Sequence, residues 1–250
     1  GPDGDLGSNE IKISGDKTKA VIDGSGVLYD PAGINRGELL RIAKLRQPIS
    51  AFDVTLLGNG GFRVLVEDPN TVTLPNGEVV ENGAVFRNNF HLHPLFQADL
   101  FVPCGGRPEA VDITNVHQLL SPQLRFKYVV EGANLFFTQE ARLAMEQAGV
   151  VIFKDASANK GGVTSSSMEV LAALCMDEHQ FAGNMMCEDG KVPAFYKTYV
   201  EAVQLAIERN AEMEFECLWR ERERTGRPLS ILSDDLSTSI VDLRAKLSES

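Results

Sequence analysis

Three short apolar runs, each followed by a glycine-bearing turn and a helix-forming stretch, constrain this chain most. They are Leu100-Phe101-Val102-Pro103 ahead of Cys104-Gly105-Gly106, Phe126 to Val130 ahead of Glu131-Gly132-Ala133-Asn134, and Val150 to Phe153 ahead of a segment rich in glycine and hydroxyl groups. A β-branched run that ends in a tight turn and hands over to a helix is the unit of a parallel sheet, because the helix carries the chain back. Repeated, it predicts a mostly parallel α/β sheet with helices on both faces. Ligands of such sheets bind where the strands end and the loops open into a crevice.

The flanking sequence departs from that rhythm. Ala20-Val21-Ile22-Asp23 reads as a strand closed by Gly24. Asn35 with Glu38 caps a helix that carries Leu39, Ile42 and Ala43 and ends before Pro48. Residues 62–93 alternate β-formers around Pro75-Asn76-Gly77, which predicts a small antiparallel hairpin insertion. Val111 to Leu120 reads as a short helix, Thr138 to Ala148 as a capped one closed by Gly149, and Gly162 to Met176 as a third. From Val192 the chain is helical to Arg224, stops at Gly226 and Pro228, and resumes at Asp234 with Ser233 as cap. The expected organisation is one domain over 1–190, with the insertion at 62–93, and a helical segment over 191–250.

Composition closes off some functions. A formal net charge of −11 opposes general nucleic-acid binding, which requires a basic face. No apolar run approaches the roughly 20 residues of a membrane-spanning helix. Four scattered cysteines without C-x-x-C fit free thiols in a reducing compartment. Asp3-x-Asp5 lacks the downstream pattern of a calcium loop. His91-x-His93 lacks nearby acids or cysteines in sequence and reads as solvated.

The candidate site is a set of loops. Gly4-Asp5-Leu6-Gly7 leads into a helix start, whose free N–H groups and positive dipole end suit a diphosphate. Asp23 follows Gly4 by 19 residues at the end of the next strand, where a carboxylate can hold a ribose 2′-hydroxyl and repel a 2′-phosphate, favouring NAD over NADP. Cys104 and Gly105 lie on the loop after the Leu100 strand. Cys104 has no base near it in sequence and is a poor candidate nucleophile. Asn134 offers a donor and an acceptor, as a carboxamide such as nicotinamide requires. Asn159, Gly161, Gly162 and the hydroxyls of Thr164 to Ser167 suit an anion at a helix start, or merely cap that helix.

Val130-Glu-Gly-Ala-Asn134, Thr138-Gln-Glu-Ala141 and Asn159-Lys-Gly-Gly-Val-Thr-Ser-Ser-Ser-Met-Glu169, in this order, resemble the glutamate dehydrogenase family. Phe136-Phe137, Phe153-Lys-Asp-Ala-Ser157 and the stretch Gly1 to Ile11 are similar to its large NAD-specific branch, and the likeness covers most of residues 1 to about 225. The resemblance implies a Rossmann-type domain that binds NAD. It also implies reversible oxidative deamination of L-glutamate to 2-oxoglutarate, and a homo-oligomer in the cytoplasm, with a mitochondrial setting left open. It places Gly4, Asp5, Leu6 and Gly7 at the diphosphate and Asp23 at the adenosine ribose. Cys104, Gly105 and Asn134 fall on the cofactor, Asn159 at the substrate–nicotinamide junction, and Ser166 at the distal carboxylate of the substrate.

Two departures qualify it. Pro2 stands where the fingerprint has its first glycine, and no Gly-Gly-x-Lys run supplies the catalytic lysine. The expectation is therefore a C-terminal piece of a longer enzyme, lacking the substrate domain and the central strand before Gly4, and inactive alone. Leucine- or phenylalanine-type dehydrogenases and a non-catalytic NAD-binding module are the alternatives. Ser166 speaks against an apolar substrate.

Overall fold

The computed structural model describes residues 1–248. The chain is mixed α/β and divides into two compact units, Gly1–Val151 and Ile152–Ser250. The final two residues of the expected 191–250 segment lie outside the described residues.

The first unit opens with α1 (Asp5–Ile13), then the hairpin β1 (Ala20–Asp23) and β2 (Gly26–Tyr29), then α2 (Arg36–Lys44). The Asn35 side chain accepts from the Glu38 N–H and starts α2 as expected. Ile11, Val21, Leu28, Leu39, Ile42 and Ile49 share the core of this region. β3 (Phe62–Leu65) pairs antiparallel with β2, giving the order β1–β2–β3.

Here the expected mostly parallel sheet is corrected. Asp23 and Gly26 face each other across a two-residue turn, which permits only antiparallel pairing. A Cβ on Gly26 would lie 2.1 Å from the Val64 carbonyl oxygen, so the glycine is what lets β3 approach.

The insertion is corrected too. Only β4 (Val72–Thr73) and β5 (Val79–Val80) form the hairpin around Asn76-Gly77. Phe62–Leu65 belongs to the first sheet, and Val85-Phe86 lie in α3 (Gly83–Asn89), capped by Asn82. The apolar spacing of 85–90 serves a helix that lays Phe86 and Phe90 onto Phe62.

β6 (Leu100–Phe101) follows, then α4 (His117–Leu120), β7 (Tyr128–Val130), α5 (Gln139–Gln147) and β8 (Val151–Phe153). These strands form a separate parallel sheet in the order β6–β7–β8. The helix expected from Val111 is confined to α4, because Val111 instead makes a parallel bridge to Phe137. Rings join the two sheets of this unit. Phe90 touches Phe62 and Phe96, and Phe96 meets Phe101 at 5.1 Å.

The second unit is helical: α6 (Asp155–Ala158), α7 (Gly161–Cys175), α8 (Glu178–Met185), α9 (Ala194–Thr225) and α10 (Leu229–Ser248). Gly226, at φ 68°, ends α9. α10 starts five residues before the expected Asp234, so Ser233 is not its cap. Ser233 is buried and its hydroxyl lies 2.6 Å from that of Ser157. α8 was not anticipated, although Asp177 and Gln180 form a complete capping box.

Candidate cofactor site

Three chain corners meet in the first unit. The start of α1 brings Leu6 over Gly132, where an added Cβ would lie 2.5 Å from Leu6 Cδ2. The Ala133 N–H donates to the Pro103 carbonyl at 2.7 Å, tying the turn after β7 to the loop after β6. Gly7 packs on Gly1 so closely that a Cβ would lie 2.3 Å from the Gly1 carbonyl oxygen. The loops at the carboxyl ends of β6 and β7 thus share one corner with the α1 N-terminus, where a parallel sheet presents its crevice.

The α1 terminus is open. Gly4 is exposed, no side chain caps the helix, and a Cβ on Gly4 would come no nearer than 3.6 Å to anything. Its first N–H groups are therefore approachable by an anion. Asp5 is exposed and lies 2.6 Å from Arg46 Nη1.

Asp23 is buried. Its Oδ1 accepts from the Ser25 N–H and hydroxyl, and its Oδ2 from the Ile49 N–H, each at 2.7 Å. A carboxylate accepts about four hydrogen bonds, so three partners leave room for one more. A Cβ on Gly1 would collide with the Asp23 side chain, which puts this carboxylate beside the glycine corner.

Cys104 is half-buried, and burial pushes its thiol up to about 11, the charge of Glu10 acting in the same direction. A neutral thiol is no nucleophile, and it adds no charge to repel a diphosphate. Gly105 is exposed with open space where a Cβ would be. Asn134 is exposed on the turn after β7, next to Leu135, whose φ of 59° is left-handed.

The second unit carries the other two candidates. Asn159 ends α6, and Ser166 is exposed on α7. The neighbouring hydroxyls do not gather on one ligand: Thr164 donates to the Lys160 carbonyl and Ser165 to that of Gly162. Two of the four hydroxyls thus serve the helix itself.

Spatial neighbours also correct the reading of His91 and His93 as solvated. His91 is buried and donates from Nε2 to the Ala110 carbonyl, and His93 reaches both Glu78 oxygens at 3.1 Å. The acid missing in sequence comes from the β4–β5 hairpin. Among the described residues no cluster of His, Cys, Asp or Glu could hold a metal ion, and no helix is long and apolar enough to cross a membrane.

Sequence reasoning missed Glu131 and Arg142. They form a buried bidentate ion pair between the strand end and the helix that flank the Asn134 turn. The signal was a lone Arg on the apolar face of a helix beginning eight residues after a strand-terminal acid.

An α/β chain with loops gathered at its strand ends has the arrangement in which such sheets hold ligands. A solved glutamate dehydrogenase shares the fold, at a TM-score of 0.53 and 15% identity over 96% of this chain and 45% of that one. The model of the Glutamate/Leucine/Phenylalanine/Valine dehydrogenase family matches residues 1–226, and the chain belongs to that family.

Glutamate dehydrogenase 2 of Dictyostelium discoideum is 57% identical over all of this chain and 24% of its own length. The probable NAD-specific glutamate dehydrogenase of Schizosaccharomyces pombe is 58% identical over 97% of this chain and 22% of its own length. The NAD-specific glutamate dehydrogenase of Neurospora crassa is 55% identical over 100% and 24%. The chain thus spans about a quarter of the length of these relatives.

Proposed function

We propose that this chain is the NAD-binding part of an NAD-dependent glutamate dehydrogenase, which converts L-glutamate, NAD and water to 2-oxoglutarate, ammonium and NADH. The carrying observation is the single corner formed by the open α1 terminus, the Pro103–Gly105 loop and the Gly132–Asn134 turn. The names of the long relatives supply the substrate and the cofactor.

In this reading residues 1–190 form a Rossmann-like cofactor domain and 191–250 a helical segment. NAD, when bound, supplies the hydride acceptor. The chain supplies position. The open first turn of α1, after Gly4 and up to Gly7, turns its unpaired N–H groups to the diphosphate, with Asp5 and Leu6 lining it, while the Gly4 N–H is held by the Gly1 carbonyl. Asp23 keeps one acceptor site for a ribose hydroxyl, and its charge excludes a 2′-phosphate. Cys104 and Gly105 line the groove as a neutral wall. Asn134 pairs with the carboxamide of the nicotinamide, which fixes the ring face. Asn159 stands at the junction with substrate, and Ser166 donates to its distal carboxylate.

The acid–base residues belong to a substrate domain preceding this chain, and the working enzyme is a homo-oligomer. Calorimetric titration tests the core of the proposal. The chain should bind NAD and discriminate against NADP, and Gly4→Val should abolish binding while leaving the circular dichroism spectrum unchanged. A folded chain that takes up no NAD would overturn the reading. The isolated chain should form no NADH from glutamate above background.

A further inference from the structure

We propose that the buried Glu131–Arg142 pair is the positioning device of the Gly132–Phe137 turn, and that through this turn it sets affinity for the nicotinamide half of the cofactor. The second clause rests on the cofactor reading above; the first does not.

Glu131 directly follows β7 at 0% exposure, and Arg142 is the fourth residue of α5 at 4%. Arg142 Nε and Nη2 donate to Glu131 Oε1 and Oε2, each at 2.7 Å. A planar fork on a planar carboxylate fixes direction as well as distance, which a lysine could not do. The pair therefore sets how the first turns of α5 stand over the end of β7, and the intervening turn must span that fixed gap.

The turn has further fasteners. Ala133 N–H donates to the Pro103 carbonyl at 2.7 Å, Glu109 N–H to the Leu135 carbonyl at 2.6 Å, and Thr138 N–H to the Val111 carbonyl at 2.9 Å. Between them Leu135 holds a left-handed φ of 59° while 57% exposed. A bulky residue stays in that region only where its surroundings over-determine it. Such strain marks a turn held in shape for a purpose beyond packing. Asn134 is the preceding residue, so any rotation at Leu135 moves its carboxamide. Burying two charges is costly, and apolar replacements of such pairs are often as stable. Geometry is then the property that only the ion pair supplies.

Three variants and two ligands test this: Glu131→Gln, Arg142→Lys, and the double Glu131→Leu/Arg142→Met that restores an apolar fit. NAD and ADP-ribose, which lacks the nicotinamide, are titrated against each folded variant, and amide exchange is read at 132–137. The double variant should stay folded, exchange faster at 132–137, and bind NAD about tenfold more weakly, the worth of one misplaced hydrogen bond. Its ADP-ribose affinity should hold within about twofold. Arg142→Lys should recover less than Glu131→Gln, because it loses the fork. A folded double variant with unchanged NAD affinity overturns the proposal, as does an equal loss for both ligands, which would mark general loosening. If the unmodified chain binds neither ligand, the cofactor reading fails alone: faster exchange at 132–137 would still support the hold on the turn, and unchanged exchange would overturn it.

Discussion

The turn after β7 and the segment after β8 are built from the same materials, a strand end, a small-residue turn and a helix start, yet they are held in opposite ways. The first is fastened at both ends. Glu131 and Arg142 are buried on either side of it, Thr138 caps α5, and Ala141 and Met145 pack inward. The second leads into α7, in which no residue is buried; Val163 is 70% exposed, Leu171 54% and Leu174 78%. The first unit therefore fixes its candidate contacts with its own side chains. α7 instead leaves Val163, Leu171 and Leu174 turned to solvent. A motif can be complete in sequence while its supporting packing lies elsewhere.

Arg142→Ala should separate the two most sharply. It strands a buried carboxylate and should cost about 3–5 kcal/mol in urea unfolding. Leu174→Gln on α7 should change stability by no more than about 0.5 kcal/mol, since its side chain is already in water. Equal losses from the two would erase the distinction.

Helix caps give a smaller test. The Thr138 hydroxyl accepts from the Ala141 N–H, an otherwise unpaired donor of α5. Thr138→Ala should cost about 1 kcal/mol. The Thr164 hydroxyl only donates to a carbonyl already within the helix, so Thr164→Ala should stay within about 0.5 kcal/mol. Thermal midpoints of the two variants decide it.

A third test uses pH. Burial pulls the His91 imidazole below its ordinary range, and the nearby Arg107 charge lowers it further, against the hydrogen bond to Ala110. The folded state therefore favours the neutral ring. That contribution is complete above the unfolded imidazole value of about 6.5 and is lost as pH falls through the lowered folded value. The urea midpoint should drop between about pH 7.5 and 5.5, and His91→Gln should flatten part of that drop. A variant with the same slope as the parent would show that His91 is not the group responsible.

The sequence marked helix α5, its cap and the glycine after it because each rests on local chemistry: Thr138 at the start, Gly149 with φ 99° at the end. The glycine corner, Asp23 and the Cys104 and Asn134 loops could be named as candidates from equally local chemistry. What stayed hidden was partner choice. Phe62–Leu65 looks like half of a hairpin until β2 claims it, and Val85-Phe86 reads as a strand until the Phe90 ring pulls the segment into a helix. The fixing of Glu131 by Arg142 crosses eleven residues and two elements, and periodicity says nothing about such pairs. The His93–Glu78 contact was invisible because the acid arrives on the hairpin.

The smallest effect touches no stability at all and compares thiols across the two regions. Cys104 is half-buried on a loop of the fastened corner with its thiol raised to about 11, while Cys175 ends the exposed α7. Only the thiolate alkylates, and at about pH 8 a group titrating there is ionised to roughly one part in a thousand. Iodoacetamide should therefore modify Cys175 first and Cys104 at least about tenfold more slowly, read by peptide mass against time. Mild urea that loosens the corner should bring Cys104 into line before global unfolding only if the Glu131–Arg142 ion pair has been removed, as in Arg142→Ala. Rapid labelling of Cys104 in the native parent would mean the corner is open to water, and the contrast between the two regions would collapse.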